Sequence, residues 1–132
     1  MGANMPGYSM LIAVLHGNQV DFDGLLTFFL NFRNEHGLMM WQVRMNQSGA
    51  LYVEEDARDC ATDGDIDIAT ALFQAQRVWP NGSSNFPAGA YGYEAAALSD
   101  ALLAHCVHPE LHVPFLGDWC CTDSKEHRRL HD

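Results

Sequence analysis

The sequence predicts an all-α fold of four helices in two helical hairpins, with long loops between and after them. Apolar residues recur at the three-to-four-residue spacing of helices that bury one face. A helix apolar on nearly every side is followed each time by an amphipathic one, as when an inner helix is backed by an outer one. The segment between the hairpins loses periodicity altogether. Hydrophobic residues make up 48 % of the 132 and aromatics 11 %, which excludes a disordered tail. No apolar run approaches the ~20 residues that span a bilayer, so no membrane partner is expected.

Tyr8 to His16 is the first helix, apolar and closed by Gly17, a residue suited to the left-handed stop of a helix. In the second, Phe22 to Glu35, Phe22, Leu25, Leu26, Phe29 and Phe32 fall on one face, Asp21 can cap the start, and Gly37 follows the end. Leu38 to Cys60 is a long loop with room for a short hairpin. Gln47, Ser48 and Gly49 mark a turn, and Glu54, Glu55, Asp56 and Asp59 crowd charge onto surface. Loops this long inside compact domains are commonly functional, which makes the segment a candidate wall of a binding cleft. Thr62 and Asp65 have capping-box spacing ahead of the third helix, Ile66 to Trp79, whose apolar residues on nearly every side predict burial until Pro80 stops it. After the Asn81 to Gly89 loop, Glu94 to Cys106 is an Ala-rich and Leu-rich fourth helix ended before Pro109. Phe115 to Trp119 reads as packed, and Cys120 to Asp132 is polar and without pattern.

Seven basic residues against seventeen acidic ones give a formal charge of -10, which repels phosphate backbones and anionic membranes and excludes nucleic acid as a partner. An uncharged or cationic ligand is compatible with it. Cys60, Cys106, Cys120 and Cys121 form no C-x-x-C pair, and adjacent cysteines bridge each other only under strain, so the redox compartment stays open. The first residues lack the basic and apolar regions of a signal peptide. His108 and His112 near Cys106, Cys120 and His127 have some character of a zinc set, but Pro109 breaks the helical pairing of the two histidines, and no metal is expected.

The densest chemistry is Ala61-Thr62-Asp63-Gly64-Asp65-Ile66-Asp67-Ile68-Ala69, which places three carboxylates at the mouth of a helix running to Trp79. Helix-start chemistry explains any one of them. A calcium loop does not fit, because Ile68 stands where its glycine is required and Gln74 where its bidentate glutamate is required. The stretch Ala61 to Trp79 resembles the signature of glycoside hydrolase family 8, with Phe73 as a departure from a smaller residue. Gly7-Tyr8-Ser9-Met10, Phe22-Asp23-Gly24-Leu25, Leu38 to Trp41 and Leu116-Gly117-Asp118-Trp119 are similar, in the same order, to other family motifs. The resemblance covers residues 7–119 and leaves 120–132 unmatched.

The resemblance implies an (α/α)6 barrel of six helical hairpins with its cleft at the end where the inner helices begin. At about 30 residues per hairpin, six need at least ~180, so this chain is expected to hold part of that barrel, about two hairpins. Asp63 is then the active-site aspartate. Favoured in its charged form by the helix dipole, it could stabilise an oxocarbenium-like transition state, hold a sugar hydroxyl or act as base. Asp65 and Asp67 cap and pack. Trp41 and Trp119 would lie in the sugar cleft, with Tyr8 lining it, whereas Trp79 belongs to the core. Counting back to the family's general-acid glutamate reaches Asn4, which cannot donate a catalytic proton, and Asp123 lacks the context of the family's base.

The implied activity is endo-acting, inverting hydrolysis of a β-1,4-linked polysaccharide, cellulose-type glucan first, with chitosan, xylan or mixed-linkage glucan behind it. The alternative is an inactive remnant that binds sugar or nothing. No cofactor is implied, and an extracellular location is. With a broad apolar face left open, the chain is expected to self-associate.

Overall fold

A computed structural model of the chain describes residues 4–120. Of the segment expected to be polar and patternless, residues 121–132, with Cys121, Asp123 and His127, lie outside the described residues. Four helices are present: α1 (Asn4–Leu15), α2 (Gln19–Asn31), α3 (Thr62–Val78) and α4 (Ala90–His105). α1 packs on α3, α2 on α1, and α4 on α3, which is the expected pair of hairpins joined through their first members.

Each helix starts earlier than the apolar periodicity indicates, for a local reason. Pro6 sits in the first turn of α1, where a backbone N–H has no helical partner to lose. Gly7 follows because α3 comes too close for a side chain: a Cβ there would lie 2.7 Å from the Cβ of Asp67 and 3.0 Å from the Gly64 carbonyl. Gly17 ends the helix region at φ +68°. The cap of α2 is Asn18 rather than Asp21; the Asn18 side chain accepts from the Asp21 N–H at 3.1 Å and donates to its carboxylate at 2.7 Å. α2 stops at Asn31, short of Glu35, because the Asn34 side chain takes the N–H groups of His36 and Leu38 and folds the chain into a turn.

The capping box expected ahead of α3 does not form. Ala61 is the cap residue without a side-chain bond, Thr62 and Asp65 are buried within the helix, and the Thr62 N–H donates to the Leu116 carbonyl at 3.0 Å. The loop that returns from α4 thus satisfies a donor that a side chain was expected to satisfy. Burial of α3 is one-sided among the described residues. Ile68, Ala71, Leu72 and Ala75 are buried, while Ile66 and Phe73 are 45 % and 50 % exposed.

The expected short hairpin is present as β1 (Arg44–Met45) and β2 (Leu51–Tyr52), antiparallel, with Arg44 opposite Tyr52. A single 3-10 turn, Glu55–Ala57, leads from it towards α3. The core joins Met10, Phe22, Leu26, Phe29, Leu72 and Tyr91 with the loop residues Leu38 and Met39. Gly7 meets Gly64 near the two helix starts, and Gln19 donates to the Gly82 carbonyl and to the Tyr91 hydroxyl beyond the other ends. α1 and α3 therefore run in the same direction, and the loops bearing Trp41 and Trp119 gather at the end where α3 begins.

Candidate active-site cleft

At that end a cavity of about 310 Å³ is lined by Trp41, Asp56, Asp59, Cys60, Ala61, Leu116 and Trp119. The long loop after Leu38 is therefore a cleft wall, and Trp41 and Trp119, far apart in sequence, face one space. Each ring is about half exposed, at 51 % and 48 %. Such surfaces are poor core but suit stacking against a flat apolar face. Asp63 is exposed in the first turn of α3, two residues beyond Ala61, and is not among the lining residues. Tyr8 is exposed on α1 and does not line the cavity. Trp79 is half-buried against the core and meets Phe22 edge-on with ring centroids 5.4 Å apart.

Backbone bonds hold both tryptophan-bearing arms against α3. Trp41 donates its N–H to the Asp59 carbonyl at 2.8 Å, and Leu116 accepts from Thr62. Gly117 allows the second arm to close in, since a Cβ there would stand 2.2 Å from the Cys60 carbonyl and 2.5 Å from the Trp119 indole nitrogen. Beneath the cavity Asp118 is buried. Its Oδ1 accepts from the Cys60 N–H at 2.8 Å; its Oδ2 accepts from Asn34 at 2.7 Å and pairs with His36 Nδ1 at 2.8 Å. Burial raises the pKa of this carboxyl, but the bonds from Cys60, His36 and Asn34 outweigh it and hold it below the usual carboxylate range. The His36 ring stacks on His105 at the end of α4, 4.0 Å between centroids.

Asp65 behaves in the opposite sense. It is wholly buried, and burial pushes its carboxyl up to about 8 against the bond its Oδ1 accepts from the Met39 N–H at 2.8 Å. It is therefore protonated at neutral pH and fixes the loop that leads into Trp41. Asp67 is raised by burial and by Asp63, and Asp59 by burial, Asp118 and Glu35. Sequence reasoning placed Asp56 and Asp59 on the surface as a charge run. Both are exposed, as the charge run predicts, and they line the cavity within the loop expected to form a cleft wall. Asp118 sits inside Leu116-Gly117-Asp118-Trp119, and that family-like stretch is its signal in the sequence.

Among the described residues no group of three or more His, Cys, Asp and Glu side chains converges to hold a metal ion. The His108 Nδ1 accepts from the backbone N–H groups of Glu110 and Leu111 and closes a turn. Among the described residues no helix is long and apolar enough to cross a membrane. The site offers two flat apolar walls, carboxylates between and beside them, and an exposed aspartate at a helix mouth. That combination fits a sugar chain better than an anion.

The model of glycosyl hydrolases family 8 matches residues 3–103. Endoglucanase A of Acetivibrio thermocellus is 38 % identical over 112 residues, which cover 85 % of this chain and 22 % of that protein. The solved structure of a beta-1,3-1,4-glucanase from Paenibacillus sp. X4 is similar at TM-score 0.75 and 30 % identity, covering 92 % of this chain and 32 % of that one. A GH8 endo-beta-1,4-glucanase from an Achatina fulica gut metagenomic library gives TM-score 0.72 and 28 % identity, covering 93 % and 37 %. The chain thus spans between about a fifth and two fifths of the proteins it matches. The neighbours are (α/α)6 barrels, and the two hairpins cover part of one.

Proposed function

We propose, from the premise that this chain belongs to glycosyl hydrolases family 8, that it forms the signature-helix portion of the cleft of an endo-acting β-1,4-glycan hydrolase. The observation that carries this reading is the cavity lined in common by Trp41, Trp119, Asp56 and Asp59 at the mouth of α3. Trp41 and Trp119 stack on sugar rings, and Asp63 acts at the rim as the active-site aspartate. Tyr8, at the same end of α1, lines the cleft farther along the polymer. The presence of an endo-beta-1,4-glucanase and an endoglucanase among the similar proteins favours a β-1,4-glucan, with mixed-linkage glucan next. Such polymers lie outside cells, which favours an extracellular site of action.

Inversion divides the work between an acid, which protonates the leaving oxygen, and a base, which activates water on the opposite face of the ring. Asp59, raised by burial and by Asp118, is a titratable group inside the cavity that could take part in proton traffic. A second reading, a sugar-binding chain without turnover, is favoured by Asn4 at the position of the family's acid. Sugar release from carboxymethylcellulose and chitosan, run beside binding measurements, separates the two. Release that is lost in Asp63→Ala supports the hydrolase, and binding without release supports the second reading.

The stripe Met5, Tyr8, Ile12 and Leu15 on α1, with Ile66 and Phe73 on α3, leaves apolar side chains about half exposed or more. It favours self-association of the chain on its own, each copy covering the other's stripe. Light scattering after size exclusion tests this; a monomer at micromolar concentration contradicts it.

A further inference from the structure

Cys60 and Cys106 are 46 residues apart in sequence, yet their sulfurs lie 3.5 Å from each other. Both side chains are buried, at 2 % and 0 % exposure. A disulfide needs a sulfur separation of about 2.05 Å, so a shift of roughly 1.5 Å closes the pair, within reach of small side-chain rotations. The two residues also belong to different arms of the cleft. Cys60 lines the cavity and follows Asp59, whose carbonyl holds Trp41. Cys106 caps α4, and its carbonyl accepts from the Phe115 N–H at 2.8 Å, where the arm leading to Trp119 begins. Nothing in the glycan reading uses either thiol.

We propose that Cys60 and Cys106 are an oxidative modification site, closed to an intramolecular disulfide by a small-molecule disulfide such as oxidised glutathione. The link ties the Trp41 arm to the Trp119 arm beneath the cavity floor. In the exchange, Cys60, which lines the cavity, attacks the small disulfide as its thiolate and expels one thiolate, forming a mixed disulfide. Cys106 then loses its proton and attacks the Cys60 sulfur, expelling the second. The protein gives up two electrons and two protons, and the small disulfide becomes two thiols. The order of attack follows access, since Cys60 lines the cavity and Cys106 is wholly buried behind it.

The test equilibrates the purified full chain with oxidised and reduced glutathione in varied ratio. The expected product is lighter by about 2 mass units, has two titratable thiols in denaturant in place of the four of the sequence, and yields a Cys60–Cys106 cross-linked peptide by tandem mass spectrometry. Closing a long loop should raise Tm by roughly 10 °C or more, reversed by dithiothreitol. Cys60→Ser and Cys106→Ser should each abolish the cross-link, and Cys120→Ser should keep it. Four free thiols in a strongly oxidising buffer, or a link running through Cys120 or Cys121 instead, overturns the proposal. The peptide map of the unsubstituted chain decides the matter even where a serine variant does not fold.

Discussion

Two buried aspartates stand near opposite ends of the α1–α3 pair and are treated differently. Asp23, near the start of α2, accepts from the hydroxyls of Tyr91 and Ser83, each at 2.5 Å, while Gln19 donates to the same Tyr91 hydroxyl at 3.1 Å. Asp65, at the cleft end, has one oxygen on the Met39 N–H and a second without a geometric hydrogen-bond partner. One carboxylate is a satisfied joint between hairpins. The other is kept protonated below the cleft, close to Cys60, Cys106 and Asp118, which all act on it. Polar groups left partly unsatisfied collect where function is grafted onto a fold, and the fold's structural joint lies away from them.

The largest expected effect is at the cleft end. Asp118→Ala removes the acceptor for Cys60, Asn34 and His36 at once and should cost about 3–5 kcal/mol by urea denaturation, as breaking a buried charged network does. Because the folded pKa of Asp118 is depressed, its contribution is fully present above the unfolded carboxylate value of about 3.9 and is lost as pH falls through the lower folded value. An unchanged stability in the variant would show that the three donors find other partners.

Next comes Asp23→Ala, which strands two hydroxyls and should cost roughly 2–4 kcal/mol while leaving sugar binding intact. Loss of binding in the folded variant would contradict the division between joint and cleft. Asp65→Asn should act with the opposite sign. With its carboxyl raised to about 8, the folded chain holds a proton that the unfolded chain releases. The stability from Asp65 is therefore fully present below pH ~4 and declines as pH rises towards 8, by at most about 1.4 kcal/mol per unit. Asn mimics the protonated form, so the variant should match the parent near pH 4 and become increasingly more stable than it as pH rises towards 8. Parallel stability curves for the two proteins would remove the case for a protonated Asp65.

How much of this was legible beforehand divides by the range of the interactions. The four helices and the hairpin could be read because periodicity and turn residues are local, and Gly17 stops α1 where expected. Their starts could not. Thr62 is capped by Leu116, more than fifty residues away, and Asn18 does the work expected of Asp21. Trp41 and Trp119 were legible through motif context, and the structure brings them to one cavity. Asp56 and Asp59 are exposed as the charge run predicts, but which carboxylates of that run reach the cavity depends on where the loop folds, which nothing local encodes. The protonation of Asp65 depends on burial, which the sequence around it encodes only as a possible helix cap.

The smallest expected effect falls on the tryptophans, and it bears most directly on function. Both rings are about half exposed, so Trp41→Ala and Trp119→Ala leave the core unfilled nowhere and should each change stability by less than about 1 kcal/mol. Each ring offers one stacked face worth about 0.5–1.5 kcal/mol, so either variant should bind cello-oligosaccharides roughly 2- to 10-fold more weakly by calorimetry. Because the two arms lean on the same α3 start through Asp59, Thr62 and Cys60, their losses should add when the rings contact separate sugars and fall short of the sum when they clamp one sugar together. The double variant distinguishes these arrangements. Full affinity in Trp41→Ala and Trp119→Ala alike would mean that sugar bypasses this cavity, and Asp63 would then have to be approached from the Tyr8 side of α1.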